Sequence, residues 1–324
     1  MLDIRKLRLL RELEVRGTVT GVAEALSYSP SSVSQQLAAL EKESGVRLLV
    51  KVGRRVQLTP QAEILVEHTA AILDLLDKAE AALAASLTTV TGVVRVAVFQ
   101  SAAHAVIPSA LSILAAEFPE LRVEVTEREP ELGLFEVSAR DFDLVIAEQY
   151  PGSTRGLRPD LDRVDLSTDP IRLATATPTP TPTATATPTA TATTKQARIT
   201  ATSLADAAAL PWVMEPEGTA ARTWAVQLCR AAGFEPDVRY ETADLVAHIR
   251  LISSGNAVGL LPDLVWAGDR PSVRLIDLPG SPQRTIFTSA RRTSASRPGV
   301  VACRDALARA VAGVRPAEEL GSDV

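Results

Sequence analysis

Aromatic residues make up only 4% of this 324-residue chain, and cysteine occurs twice and histidine three times. No apolar run reaches the roughly 20 residues that a membrane-crossing helix needs. With so few Phe, Trp and Tyr, the cores must lean on Ala, Val and Leu; a hydrophobic content of 46% suffices for roughly two or three compact units. Cys229 and Cys303 form neither a metal-ligand spacing nor a CxxC pair, and each lies in an Ala-rich helical stretch where a buried thiol is commonplace. His68, His104 and His248 are far apart in the chain. GxSxG, HExxH, a P-loop and a GxGxxG after a strand are all missing, so an enzyme built on the C-terminal part has no motif behind it, and neither a cofactor nor a metal site is expected. The start, Met1-Leu2-Asp3-Ile4-Arg5, lacks the pattern of a signal peptide, which sets the expectation of a cytoplasmic protein without membrane contact.

What the chain does have is a polar helix beside a basic ribbon. Val33, Leu37 and Leu40 recur at spacings of four and three and stack on one helix face. The opposite face carries Ser31, Ser34, Gln35, Ala38 and Lys42, which are small or hydrogen-bonding and free of acid until Glu41 and Glu43. Such a face fits a major groove. Ser29 is a suitable N-cap and Pro30 a suitable first helical residue. A short helix around Val22, Ala23 and Leu26, a turn at Ser27-Tyr28, and a helix with Ile4, Leu7, Leu10 and Leu13 complete a small core. From Leu48 to Leu58, apolar residues alternate around Gly53-Arg54-Arg55, as in a β-ribbon with a basic tip that holds phosphates or a minor groove. Residues 1–60 hold 10 Lys/Arg against 6 Asp/Glu, a balance of +4. The whole chain is −5, leaving −9 for residues 61–324. Positive charge is gathered where DNA would lie.

Residues 1–60 closely resemble the DNA-binding domain of LysR-type transcriptional regulators. The resemblance is carried by Ala25-Leu26, Ser29, Ser32-Val33-Ser34, Gln35, Leu37, Leu40-Glu41, Gly45, Leu48, Arg55 and Leu58-Thr59-Pro60. The chain departs from the family where Leu49, Val50 and Lys51 replace a usual Phe-then-Arg, and where Gln61-Ala62 replace Ala-Gly. The resemblance implies a winged helix-turn-helix, a long linker helix and a two-lobed α/β effector domain similar to periplasmic solute-binding proteins. It also implies double-stranded DNA, a small-molecule effector and further copies of the chain (homodimer or homotetramer) as partners, with RNA polymerase added if the protein activates. The candidate DNA-binding residues are Ser29, Ser31, Ser32, Ser34, Gln35, Gln36, Ala38, Lys42, Lys51, Arg54 and Arg55.

The expected domains are 1–59 for DNA binding, 60–89 for the linker and 90–324 for the effector. Lobe I spans about 90–155 and 265–312, and lobe II about 156–264. Thr59-Pro60 starts a helix without Gly or further Pro to about Leu87. Its small or apolar positions 62, 66, 69, 73, 76 and 83 come close to a heptad seam for a second subunit, with packing on its own domain as the alternative. Beyond Thr89, strands (93–99, 122–126, 143–147) alternate with helices (105–118, 130–139), which predicts a parallel sheet. A second series follows: strands at 212–214, 238–240, 258–261 and 286–289, and helices at 220–232, 243–253 and 299–311. Residues 174–194 contain only Ala, Thr and Pro, and are expected to be a disordered or polyproline-like loop.

Ligands of open α/β sheets bind beyond the carboxyl ends of the strands. That selects Gln100, Ser101, Glu129, Glu148, Glu215, Gly218 and Thr219. Ser101 and Thr219 each precede a predicted helix, where amide groups favour an anion. Glu148, Glu215 and Glu217 either select an amine or are solvated loop residues, and solvation is the preferred reading. A solute-binding protein, the remaining alternative, would need an export signal and would carry no helix-turn-helix.

Overall fold

The computed structural model describes residues 1–26, 28–52, 55–153, 158–177 and 199–314. Three helices open the chain, α1 (Ile4–Arg16), α2 (Val19–Ala25) and α3 (Pro30–Ser44), followed by the antiparallel hairpin β1 (Leu49–Val52) and β2 (Arg55–Leu58). Local chemistry sets their limits. Asp3, Thr18 and Ser29 each cap a helix start by accepting a backbone N–H, and Pro30 follows its cap directly. Gly17 and Gly45 end α1 and α3 in the left-handed region, at φ of 71° and 69°. Leu7, Leu10, Leu13, Val22, Val33, Leu37, Leu40 and Leu48 form the buried core of this unit. Ser27 and the ribbon tip Gly53-Arg54 lie outside the described residues.

Helix α4 (Pro60–Ala85) is capped by Thr59 and runs 26 residues. The expected seam is used differently from the sequence expectation. Ala62 and Val66 are part of the N-terminal core, and Thr69 and Leu73 are also buried within the chain. The last two seam positions, Leu76 and Leu83, are exposed, and Ile64, Ile72 and Leu75 join them in a free stripe. The two faces differ by roughly 100° around the helix.

The remaining elements are β3 (Gly92–Val98), α5 (Gln100–Ala105), α6 (Ile107–Glu117), β4 (Leu121–Glu127), α7 (Pro130–Ser138), β5 (Leu144–Gln149), β6 (Val164–Thr175), β7 (Pro211–Met214), α8 (Ala220–Ala231), β8 (Asp237–Glu241), α9 (Leu245–Ser253), β9 (Gly259–Pro262), β10 (Arg274–Ile276), β11 (Gln283–Ser289) and α10 (Pro298–Ala312). The single helix expected over 105–118 is two, broken at Val106: Pro108 has no N–H to give the preceding turn. The sheet is mixed rather than parallel. β3 pairs in parallel with β4 and β5, but β11 is antiparallel to both β5 and β6, giving the order β10-β6-β11-β5-β3-β4 with β9 also on β6. β7 and β8 form a separate parallel pair.

The long strand β6 joins the two lobes. Its first half pairs with β11, and from Ile171 onward it pairs with β9 and β10. One core, with Val94, Val98, Leu144, Ile146, Val300 and Leu307, lies around α5, α6 and α10. A second, with Leu173, Trp212, Met214, Trp224 and Cys229, belongs to the other lobe. Trp266 and Val273 pack with Val213 and Leu245, and β10 pairs with the far end of β6, so the stretch around 266–276 sits with the second lobe although the sequence assigned it to the first. The Ala/Thr/Pro stretch also begins later than expected. Ala174 and Thr175 are fully buried strand residues, because two neighbouring strands offer them partners; Ala176 is buried as well. The tract from Pro178 to Thr194 lies outside the described residues. Among the described residues no helix is long and apolar enough to cross a membrane.

Candidate DNA interface and effector cleft

On α3, Ser31, Ser34, Gln35, Ala38 and Lys42 are exposed and Val33, Leu37 and Leu40 are buried, so the polar face is free over about three turns. Ser29 Oγ accepts the Ser32 amide (3.1 Å) and meets the Ser31 hydroxyl (3.0 Å), while Ser34 Oγ donates to the Pro30 carbonyl (3.0 Å). Ser32 and Gln36 are half-buried and flank the face. Lys51 is exposed on the ribbon. Arg54 lies outside the described residues and Arg55 is described only through its backbone pairing with Val52. Sequence reasoning missed how ribbon and helix are joined: Glu41 Oε1 accepts the amides of Leu48 (2.8 Å) and Leu49 (3.1 Å), locking the start of β1 to the end of α3. A carboxylate one helical turn before a Gly cap, followed by a strand, was the available signal.

The effector cleft gathers at the junction of the lobes. Gln100 Oε1 accepts the amide of Leu245 (2.9 Å), joining the first residue of α5 to that of α9. Ser101 is buried in the first turn of α5, whose N-cap is Phe99, so it does not precede the helix as expected. Its hydroxyl accepts from Arg284 Nη2 (2.7 Å). Arg284 on β11 is the centre of the cleft. It donates from Nε to Asp169 (2.9 Å), pairs through Nη1 with Glu148 and lies 5.2 Å from the Phe99 ring centre. Asp169 also accepts the Leu264 amide (2.9 Å) from the turn that follows β9. Glu148 and Asp169 together hold the guanidinium charged, against a burial that alone would lower its pKa.

Glu215 and Arg222 line a small cavity of about 40 Å³ with Tyr150, Trp224, His248 and Arg284. Burial first, then the charges of Glu148 and Glu129, push the Glu215 carboxyl up to about 8. Burial, with Glu148 and Glu127, raises Glu129 as well. Of the three carboxylates that the sequence read as solvated, Glu148 is buried and Glu215 is half-buried in the cleft, whereas Glu217 is exposed. Thr219 caps α8 by accepting the Arg222 amide (3.2 Å), which occupies its hydroxyl oxygen. Gly218, at φ 91°, lies on a separate, wider cleft of about 1150 Å³ that Trp224 also lines. Tyr150, Asp169, Trp224, His248 and Arg284 were missed. An arginine and an aspartate inside strands, where side chains alternate between core and solvent, give no sign in sequence that they meet.

The cleft is linked to the DNA-binding unit by charge. Asp77 of α4 accepts from Arg140 Nη1 (2.6 Å), Arg291 Nε (3.1 Å) and Thr293 Oγ1 (3.1 Å), and Asp74 accepts from Arg140 Nη2 (2.6 Å). Arg140 follows α7 with φ 74°, a conformation that costs a non-glycine residue energy and persists because both nitrogens are tied. Arg16 at the end of α1 reaches Asp141 (2.6 Å) as well as the buried Glu12 (2.9 Å). Cys229 and Cys303 are buried in different cores, and burial pushes each thiol up to about 12.

Comparison with known proteins agrees with this architecture. Residues 4–63 match the family described as bacterial regulatory helix-turn-helix protein, lysR family, and residues 88–312 match the LysR substrate binding domain. The chain is 28% identical over 270 residues to the transcriptional dual regulator GltC of Bacillus subtilis (strain 168), covering 83% of this chain and 84% of that protein. It is 23% identical over 288 residues to the dual regulator OxyR of Escherichia coli (strain K12), covering 88% of each. Among solved structures, a full-length OxyR from Pseudomonas aeruginosa superposes with a TM-score of 0.63 at 17% identity, over 97% of this chain and 96% of that one. Full-length CbnR in complex with its target DNA does so at 0.50 and 20%, over 95% and 100%. At these identities the structures share the fold.

Proposed function

The chain belongs to the LysR family of DNA-binding transcriptional regulators with an effector-binding domain, and on that premise we propose how its parts divide the work. Ser31, Ser34, Gln35 and Ala38 read base edges in the major groove, Lys42 and the ribbon residues Lys51, Arg54 and Arg55 hold phosphates, and the flanking serines set register. The observation that carries this reading is the uninterrupted polar face of α3, exposed beside a ribbon that Glu41 fixes in place. A second copy pairs through the exposed stripe of α4 and doubles the half-sites read. Its DNA target puts its action in the cytoplasm, with RNA polymerase a partner where it activates, and the reading gives the chain no catalytic role.

A small-molecule effector binds between the lobes, around Gln100, Ser101, Glu129, Glu148 and Glu215. It acts only through its different affinity for the two lobe arrangements. β6 and the Arg284 cluster join the lobes, and Asp77 with Arg140 and Arg291 passes a change in lobe I to α4. The test is selection of bound genomic fragments by the purified chain at near-physiological salt. Enrichment of a few sites with an inverted repeat is expected; recovery no better than random DNA, with and without cell metabolites, overturns the reading. On an enriched site, Gln35→Ala is expected to cost about 1–3 kcal/mol and to leave binding to random DNA unchanged. Equal loss on both, measured by fluorescence anisotropy, removes Gln35 from base reading.

A further inference from the structure

We propose that the effector taken up by the cavity between Tyr150, Trp224 and Glu215 carries a protonated amine or amidine, and that Glu215 is its counter-ion. This rests on reading the junction of the lobes as the effector site. Both guanidinium groups lining the cavity are already engaged. Arg284 gives its donors to Asp169, Glu148, Ser101 and the Tyr150 hydroxyl. Arg222 donates to the Glu215 carbonyl (3.1 Å) and pairs with Glu241 (3.5 Å). The Thr219 hydroxyl is occupied as well, accepting the Arg222 amide and donating to the Pro216 carbonyl. An anionic group entering here would find Arg284 already paired with Glu148 and Asp169, and would meet the Glu215 carboxyl.

An independent observation points to a ligand that donates hydrogen bonds. His248 on α9 is 2% exposed and lines the same cavity. Its Nε2 contacts the Thr242 carbonyl (2.8 Å), so Nε2 carries the hydrogen, and its buried Nδ1 has no partner. Burial keeps this imidazole neutral, leaving the unpartnered Nδ1 a buried acceptor on a residue that lines the cavity. Tyr150 and Trp224, with ring centres 5.4 Å apart, supply the aromatic wall that favours a cation. The 40 Å³ of space is about three times the ~10–15 Å³ that one water needs, which suits an ammonium or amidinium head.

The charged and titratable groups facing Glu215 are Glu148 from β5, Glu129 before α7, Arg284 from β11, Arg222 from α8 and His248 from α9, with Tyr150 beside them. In that setting the empty site keeps Glu215 protonated at neutral pH. A cation entering binds the carboxylate and releases that proton to solvent, so its affinity rises with pH below about 8, by up to about tenfold per unit.

The experiment uses the full chain, with tryptophan fluorescence and thermal shift as readouts. Putrescine, agmatine and benzylamine are compared with succinate and benzoate at pH 6.5 and 8. Binding of at least one amine, tighter at pH 8 and weakened at least about tenfold by Glu215→Gln, supports the proposal. Glutamine has the same shape and resembles the protonated acid, so the variant is expected to fold. Amine binding that ignores the substitution or the pH overturns it. Binding of the carboxylates instead overturns the amine class while leaving the cleft as the effector site. No binding by either set at 10 mM overturns the amine proposal too, and fragment selection judges the regulatory reading separately.

Discussion

Single side chains with unusual surroundings carry most of what is testable. Glu41 holds two adjacent amides at the start of the ribbon, and with its carboxylate gone those donors lose their acceptor. Glu41→Ala is expected to destabilise the N-terminal unit by about 1–3 kcal/mol. Hydrogen exchange checks this: the Leu48 and Leu49 amides should lose protection before the core amides of α3 do. Glu215 makes stability depend on pH. Its carboxyl is raised from 4.5 to about 8 on folding, so between those values the folded chain holds a proton that the unfolded chain releases. Stability contributed at this position therefore falls as pH rises from about 4.5 to about 8 and levels off above. Melting temperatures of the wild type and Glu215→Gln, taken from pH 5 to 8.5, are expected to diverge with rising pH in favour of the variant. Parallel curves would show that the carboxyl titrates normally. The two cysteines offer no such handle, since a thiol pushed up to about 12 forms almost no thiolate near pH 7.

Among the elements, α4 and β6 have two neighbours each. One face of α4 is committed to the core below it, through Ala62 and Val66, while Leu75 at 68% and Leu83 at 70% exposure stand in solvent. A stripe of that size on a long helix gains only by covering itself. Changing Leu75 and Leu83 together to Asp is expected to leave the fold intact and convert the oligomer to monomer in sedimentation velocity, with loss of tight binding to a two-half-site DNA. Leu73→Asp, on the buried face, should unfold the helix instead. An unchanged sedimentation coefficient in the double variant would move the subunit contact elsewhere. β6 works differently: continuous hydrogen bonding along one strand lets both lobes share a backbone, and its change of partner at Ile171 comes two residues after Asp169, which binds both Arg284 and the Leu264 amide.

At the scale of the molecule, the DNA-binding unit and the effector domain meet through a small number of ion pairs. Asp77 receives three donors from lobe I, and Arg140, only 9% exposed in its side chain, depends on Asp77 and Asp74 for its counter-charge. Removing one partner of such a group costs more than the pair contributes. Asp77→Asn is expected to loosen α4 from lobe I. A larger radius of gyration by small-angle scattering and a DNA footprint that no longer responds to effector would follow. A footprint that still responds would assign the coupling to the α1 contact between Arg16 and Asp141.

The winged helix-turn-helix, the polar face of α3 and the caps at Ser29 and Thr59 were determined by the sequence alone. They depend on residues within a few positions of each other, and periodicity and capping are local physics. The break at Val106 was equally local, written in Pro108. Tertiary structure alone decided the direction of the sheet, because β11 returns antiparallel between two strands distant in sequence. It decided which stripe of α4 stays free, since either face is apolar enough to pack. It also decided the chemistry of the cleft: Ser101, Glu148, Asp169, Glu215, His248 and Arg284 come from six separate elements or loops. Whether a glutamate there is a solvated loop residue or a buried proton holder depends on the water that its distant neighbours exclude.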